Sequence, residues 1–598
     1  MNGMDSIKFL QQYFHISIED EDILLTKKAD FPEDCTDLFK FLQEIKRHRE
    51  NTLSRLRDSP KPYKQVVTID IETNDLDPLK GEIKLISVFG EGIELVTSNI
   101  REVEHLLTDE AILKVVHNAG FDITWLRTKG FEVCSYMDTM VMSQIFHNHV
   151  KTDNSLRGMV SKYLKVELDK SLQDSVNWQG DITEEHKNYA LSDARVTWEL
   201  YHFLSEELRG LHLDCVLRRE MAAIDAIIEL NMTGIRFDYN DWEKELQKMI
   251  EESEQLQENV RGLLEAPNLN LQAPAQIIAA LRNKGIEIEG TSDEVLAKYE
   301  EDFEVIKPIR RYKKLKKQVN AYGEKLKQAI SEDGRLRGNW RLIGTDTSRM
   351  TCKQPNLQGM PGKAKPYFRS AEGHTFIVAD YSNIELRILA EITKDPELTK
   401  AFQHNEDLHE KTARVVLDKQ LGEVVTSEER KIGKVVNFGL VYGMTKWGLQ
   451  KKIQAATGLP ISLKEAETFR NRYFELYRGV LFYQDRMLKS SFIQTLGGRY
   501  WSDDHHMLPK GAIARFNYPI QATGTEGLKE ALALLLQDRK RGWKLVAAVH
   551  DEIVLEVPDS DTEEASLFLK KVMVAGMSKL VKQIPIEVEI NCGKYWCK

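Results

Sequence analysis

A chain of 598 residues is about four times the roughly 150 residues of a typical domain, which calls for several cores and excludes a peptide hormone or a lone binding module. Hydrophobic residues at 42%, charged residues at 29% and only 16 Pro describe a folded globular protein rather than a disordered or fibrous one. The net charge of −10 argues mildly against a nucleic-acid partner, but it is unevenly spread: seven of the eleven residues from Lys307 to Lys317 are basic.

Six cysteines scattered from Cys35 to Cys597 form neither a disulfide framework nor a C-x-x-C zinc pair, as expected in a reducing compartment. No window reaches the roughly 20 uncharged apolar residues of a membrane span, since even Ala531 to Leu536 soon meets Asp538, Arg539, Lys540 and Arg541. The N-terminus lacks the apolar core of a secretory signal and carries acids early, against a transit peptide, so any such segment is absent or already removed.

In chain order, residues 1–62 carry a helical pattern at Leu38, Phe41, Leu42 and Ile45, close at Ser59-Pro60-Lys61-Pro62 and show no chemistry. From Tyr63 to about Leu208, short β-branched strands (VVTIDI, IKLISVFG, KVVHNAG) alternate with helical stretches, as in an α/β domain. Residues 209–335 are long charged helical patterns, broken at Ala266-Pro267-Asn268 and at Thr291-Ser292, and they include the basic run. Beyond 336 the strands FIVADYS and LVAAVHDEIVLEV mix with helices in an α+β texture.

In VVTIDIETNDLD the strand alternation puts Asp70 and Glu72 on one face. Like charges that share a site raise each other's pKa unless a cation neutralises them, and a hard divalent ion such as Mg²⁺ does so. Alone, such a pair is more often an exposed strand edge. HNAGFDITWL adds Asp122 after a strand and a turn, and Tyr189-Ala-Leu-Ser-Asp193 spaces a phenol and a carboxylate four apart on one helical face. Four carboxylates suit two metal ions about 4 Å apart, one holding an attacking water and one the leaving oxygen of a phosphodiester, with Tyr189 to orient the water. DIET, HNAGFD and YALSD resemble the three motifs of the DEDDy 3′→5′ exonucleases, found in RNase D-like enzymes and proofreading domains, and LDKSLQDSVNW is similar to that family's spacer. The resemblance implies an RNase H-like domain over residues 63–208 acting on a single-stranded DNA 3′ end.

FIVADYSNIELRILA ends an apolar strand in Asp380, and some 170 residues later VAAVHDEIVLEV is another apolar strand with His550, Asp551 and Glu552 at its tip. A buried-strand acid needs a reason. If the strands pair, Asp380 and Asp551 converge into a metal-binding dyad of the phosphoryl-transfer kind, whereas either segment alone reads as readily as a βα turn. Between them, in EERKIGKVVNFGLVYGM, Arg430, Lys434, Phe438 and Tyr442 recur every four residues and line one helical stripe. A triphosphate would meet the cations, and its base and sugar the rings. Aromatic pairs at this spacing are more often core packing, but core packing does not account for two cations on the same stripe.

These segments resemble motifs A, B and C of the family A DNA polymerases. The likeness runs from about Glu220 to the C-terminus through ELNMTGIRFD, TDTSRMTCKQPNLQGMP with Arg349 and Gln358, DLHEKTA with His409, and FNYPIQATGTEGLK with Asn517 and Gln521. It implies a right-hand polymerase domain over 209–598 that adds dNTPs to primer-template DNA, with the thumb at about 209–335, the palm at about 336–400 and 540–598, and the fingers at about 401–539. By that resemblance Asp380 and Asp551, with the Tyr381 carbonyl, bind two Mg²⁺ ions, for which Mn²⁺ can substitute, beside a catalytic Glu552. Lys434 and Arg430 hold the triphosphate with His409 assisting, and Glu385 blocks a ribose 2′-hydroxyl. Phe438 senses the sugar and Tyr442 lies beside the templating base. Arg349 and Gln521 read the minor groove at the primer end, with Asn517 in the same substrate-binding set. The basic run falls in the thumb, where phosphate contacts are sequence-independent and salt-sensitive.

The family's pattern is broken in two places. Ala512 and Ile513 stand where it carries Glu-Arg, with Arg515 as a candidate substitute. Gly433 replaces a small helix-former in the nucleotide helix at up to about 1 kcal/mol, which would ease movement of the fingers. Residues 1–62 are too few for a 5′-nuclease domain, so a short, Klenow-like polymerase is expected. The expectation is a monomeric multidomain α/β and α+β protein, a proofreading DNA polymerase of replication or repair. It would work inside the cell, in the cytoplasm or nucleoid, or in an organelle matrix if a transit segment was removed. A nuclease of the RNase D kind whose C-terminal half only grips nucleic acid predicts erosion of the second dyad. An inert DNA-binding or processivity subunit predicts loss of carboxylates from both sites, and neither loss is present.

Overall fold

The computed structural model describes residues 63–596 apart from 149–151, 170, 173, 421 and 504–506. The chain divides into two units, Met1–Lys64 and Gln65–Lys598. The helical pattern at Leu38, Phe41, Leu42 and Ile45 lies outside the described residues, and both candidate sites belong to the second unit.

The β-branched run around Asp70 forms strand β1 (Gln65–Thr73), the centre of a five-stranded sheet with β2 (Ile83–Gly90), β3 (Ile93–Thr97), β4 (Ile112–Val116) and β5 (Tyr136–Asp138). The order is β3-β2-β1-β4-β5, with β2 antiparallel and β4 parallel to β1. Helices α1 (Ala119–Thr128) and α2 (Thr139–His147) follow β4 and β5, and α3 (Glu184–Gly210) lies on β1 and β2.

A short helix α4 (Asp214–Ala222) leads to α5 (Tyr239–Leu263), which packs against α6 (Ile306–Tyr322). The outer end of this pair has a core of its own, including Val260, Ile277, Leu281, Leu296, Ile309 and Tyr312. The basic run lies on α6, and three of its cations are paired: Arg310 with Asp293 and Glu300, Arg311 with Glu252, and Lys313 with Thr291. Lys307, Lys314 and Lys317 are exposed and line a cleft of about 1050 Å³.

Next come β6 (His374–Tyr381), α7 (Ile384–Thr393), α8 (Leu408–Val416), α9 (Ser427–Val441), α10 (Arg478–Lys489), α11 (Ala512–Asp538), β7 (Lys544–Val549), β8 (Glu552–Pro558), α12 (Thr562–Ser578) and β9 (Val588–Gly593). The four strands make an antiparallel sheet in the order β7-β8-β6-β9, on which α12 packs. LVAAVHDEIVLEV, read as one strand, is therefore a hairpin with His550 and Asp551 in its turn. Nothing in the sequence marks that turn, because His550 takes the left-handed conformation (φ 58°) usually left to Gly or Asn. One apolar core runs unbroken from the first sheet to the second.

Two candidate active sites

The first site is built on β1. The Thr68 and Ser87 hydroxyls donate to the Ala194 and Ala190 carbonyls at 2.8 and 2.9 Å, and these small contact residues let α3 settle close on the sheet. That brings α3 over the β1 carboxylates. Ligand oxygens of Asp70, Glu72 and Asp193 lie within 4.8 Å of one another, a spacing in which one hard cation can bind all three. Asp122 is buried at the start of α1. Burial, followed by the charges of Asp70 and Asp138, pushes its carboxyl well above the usual range, a repulsion that a divalent cation relieves. Burial and the charges of Asp193, Glu72 and Asp70 also push the Tyr189 phenol up, so it stays a neutral donor. Its ring meets Trp178 edge-on at 6.2 Å in a small cluster with Leu85 and Ala190, so the end of the spacer seats it.

Asp138 carries no motif of its own, yet it accepts from the amides of Asn118, Ala119 and Met140 at 2.9, 2.8 and 2.8 Å. One carboxylate thus caps α2 and fixes the start of α1, and with it Asp122. Its signal was available: an Asp between a strand and a helix start is an N-cap signature.

The second site forms where β6 ends. Asp380 lies opposite Glu552 of β8 in the ladder, and the Tyr381 amide donates to the Asp551 carbonyl at 3.4 Å. The strand end and the hairpin turn therefore meet, bringing Asp380 and Asp551 together. The Tyr381 phenol, pushed up by burial and then by the Asp551 charge, donates to the Met573 carbonyl of α12 at 2.7 Å, which leaves the backbone as this residue's contribution. Glu552 is buried in a clamp: its Oε1 accepts from Trp596 Nε1 at 2.7 Å and pairs with Lys365 at 3.5 Å.

Helix α9 carries the four-residue stripe, capped by the box of Thr426 and Glu429. Exposure falls along it: Arg430 and Lys434 are exposed, while Phe438 and Tyr442 are half-buried. Arg430 Nε donates to Asp407 Oδ2 at 2.7 Å. His409 is buried 5.7 Å from the Phe438 ring, and burial, aided by Arg430, pushes it down to about 4, so it is neutral. Asn437 Nδ2 donates to its Nδ1 at 3.0 Å, which assigns the proton to Nε2. Glu385, in the first turn of α7, accepts from Arg349 Nη2 at 3.0 Å and from the Tyr442 hydroxyl. Asn517 and Gln521 sit half-buried one turn apart on α11, and among the described residues neither side chain bonds to Arg349. Tyr518, between them, donates to Asp346 at 3.0 Å and ties α11 to the loop before Arg349.

Both departures have structural surroundings of their own. A Cβ at Gly433 would collide with the His409 carbonyl and stand 2.9 Å from the Ala413 amide, so the glycine serves close packing of α9 on α8. Arg515 donates to the carbonyls of Pro509, Met487, Leu488 and Ser490, which closes the end of α10.

Residues 240–598 match DNA polymerase family A, and residues 44–209 match the 3'-5' exonuclease family. DNA polymerase I of Aquifex aeolicus is 30% identical over 593 residues, covering 92% of this chain and 98% of that protein. DNA polymerase I of Pseudomonas aeruginosa is 29% identical over 541 residues, covering 83% of this chain and 58% of that longer protein. The polymerase domain of Pol1 from M. smegmatis, solved in complex with DNA primer-template and dNTP, has a similar fold: TM-score 0.76 at 21% identity, covering 89% of this chain and 95% of that one.

Proposed function

Because this chain belongs to DNA polymerase family A and carries a 3'-5' exonuclease domain, we propose that the β6 site adds dNTPs to a primer 3′ end while the β1 site removes misincorporated ones, in DNA replication or repair. What supports this reading most is the meeting of Asp380 and Asp551 beside a helix that presents two exposed cations before two half-buried rings. A nuclease whose C-terminal half merely grips nucleic acid does not fit a chain whose residues 240–598 match the polymerase family.

In this reading Asp380, Asp551 and the Tyr381 carbonyl hold the divalent ions at one site, and Asp70, Glu72, Asp122 and Asp193 hold them at the other. Mg²⁺, or Mn²⁺ in its place, would supply charge neutralisation and an acidified hydroxyl or water when bound. Lys434 and Arg430 grip the triphosphate, His409 donates to it through Nε2, and Phe438 lies against the sugar. Glu385, held by Arg349 and Tyr442, stands as the wall against a 2′-hydroxyl. Arg349, Gln521 and Asn517 contact the primer end, Tyr442 flanks the templating base, and the exposed lysines of α6 meet duplex phosphates. Glu552 acts indirectly, its clamp on Trp596 and Lys365 fixing the hairpin turn. Tyr189 orients the attacking water at the exonuclease site.

No helix among the described residues is long and apolar enough to cross a membrane. The protein works as a monomer inside the cell. Extension of a 5′-labelled primer with four dNTPs and Mg²⁺, from matched and from mismatched ends, tests the reading. Extension of both, with the mismatched end shortened first, is expected. A mismatched primer extended without prior shortening would remove proofreading from it, and no extension of a matched primer would remove polymerisation.

A further inference from the structure

Where α4, α11 and the segment after α10 meet, charges are buried together. Glu220 and Lys529 are 0% exposed and Arg499 1%. Both oxygens of Glu220 are engaged, Oε2 by Lys529 Nζ at 2.6 Å and Oε1 by Arg499 Nη2 at 2.8 Å. Arg499 continues through Nη1 to Asn148 Oδ1 at 2.9 Å, the residue that caps α2 of the exonuclease domain. Lys529 gives a second hydrogen bond, at 2.8 Å, to the backbone carbonyl of Ser348.

Buried ions of this kind are seldom kept for stability, because removing them from water costs about as much as their attraction returns. What this group holds is a strained backbone. Ser348 is 1% exposed with φ 59°, a left-handed conformation that is unfavourable for a non-glycine residue. Its loop is tight: the Ser348 amide donates to the Thr345 carbonyl at 2.8 Å, the Arg349 amide to Thr345 Oγ1 at 3.0 Å, and the Gly344 amide to the Arg349 carbonyl at 2.9 Å. In such a loop, rotating the peptide after Ser348 redirects the next side chain, and that side chain is Arg349, whose Nη2 meets Glu385 at 3.0 Å.

We propose that Lys529, held by Glu220, is a positioning residue for Arg349: by fixing the Ser348 carbonyl it aims the Arg349 guanidinium at the primer terminus. Through Arg499 and Asn148 the same carboxylate that holds Lys529 also registers the exonuclease domain against this loop. Lys529 touches no substrate in this role. The inference rests on Arg349 contacting the primer end, as in the function proposed above.

A double-mutant cycle separates positioning from general support of the fold. Lys529→Met, Arg349→Ala and the pair are compared in an Asp70→Ala, Glu72→Ala background, by steady-state extension of primers with matched and mismatched ends. Lys529→Met should lower kcat/KM on the matched end by about tenfold and narrow the matched-to-mismatched ratio, yet add less than about twofold once Arg349 is gone. An equal loss in both backgrounds, or an unchanged ratio, overturns the proposal. An Arg349→Ala chain that extends like its parent removes the primer-end reading itself, which is a distinct failure. If Lys529→Met gives no cooperative thermal transition, Glu220→Gln, which keeps the shape and removes the charge, is carried through the same cycle. The same non-additivity is then expected, and an additive loss overturns the proposal.

Discussion

The β1 and β6 centres both set a carboxylate near the end of a strand, but they differ in what surrounds it. Around Asp122 the charges that act on the carboxyl are other acids, Asp70 and Asp138, which with burial push it up. Around the Asp380 and Asp551 pair, protein counter-ions are already in place: Arg349 on Glu385, Arg430 on Asp407, and Lys365 on Glu552. The first arrangement is one that a bound cation would relieve. The second holds its cations in internal pairs, of which Arg430 with Asp407 is the one that an anionic ligand on the α9 stripe would have to compete with.

The largest effect should come from emptying either centre. Asp380→Ala or Asp551→Ala should lower primer extension by roughly a thousandfold or more while degradation of single-stranded DNA continues. Asp70→Ala with Glu72→Ala should do the reverse, visible as loss of mismatch excision. If one substitution silences both activities, the centres are not independent and the contrast between them collapses.

Next in size is Gly433→Ala. A methyl group there meets the His409 carbonyl and the Ala413 amide, both backbone, so α9 must move off α8. Overpacking of this kind costs about 1–3 kcal/mol, and the shift of Lys434 and Phe438 should lower extension by roughly tenfold or more with excision unchanged. Extension at the parental rate would mean that the helices are not pressed together at this glycine.

The two centres were not equally legible in the sequence. Every acid of the first lies in a short motif, and the period-2 alternation of VVTIDIET alone put Asp70 and Glu72 on one face, because strand geometry is local. At the second centre the strand acids and the helical stripe were legible for the same reason. The partners were not: Asp407 lies 23 residues from Arg430, Glu385 lies 36 from Arg349 and 57 from Tyr442, and Glu220 lies 309 from Lys529. No local period encodes such pairs. The turn at His550 was hidden because a histidine occupies a glycine-like conformation, and the packing role of Gly433 was hidden because its neighbour is another helix.

A smaller effect probes the Arg430 pair directly. Asp407 caps α8, accepting from the His409 and Glu410 amides at 3.0 Å, and it also pairs with Arg430. Asparagine caps a helix about as well as aspartate, so Asp407→Asn removes the charge and leaves the cap. Both partners are more than a third exposed, and an ion pair of this kind contributes less than about 1 kcal/mol. Removing the competitor should therefore tighten dNTP binding by only about two- to fivefold, seen as a lower KM with kcat little changed. A higher KM would show that Asp407 aligns Arg430 for the triphosphate instead of competing for it.

The smallest expected effect is an absence of one, at His409. An ordinary histidine titrates near 6.5 and would gain charge across the acid side of the working range, adding a third cation to the stripe. Here burial, with Arg430 nearby and Asp407 opposing, holds the ring down to about 4. The unfolded chain therefore binds a proton between about pH 6.5 and 4 that the folded chain does not, so this residue's share of stability is intact above 6.5 and is lost as pH falls through that window. For catalysis the consequence is that a neutral Nε2–H donor persists from pH 5.5 to 8. Plots of kcat/KM for dNTP against pH should then have the same acid limb in the parent and in His409→Gln, which differ only by a constant factor. A limb near pH 6 that disappears in His409→Gln would mean that the ring is solvated and charged when substrate arrives, and the β6 centre would then recruit its positive charge on demand instead of holding it in internal pairs.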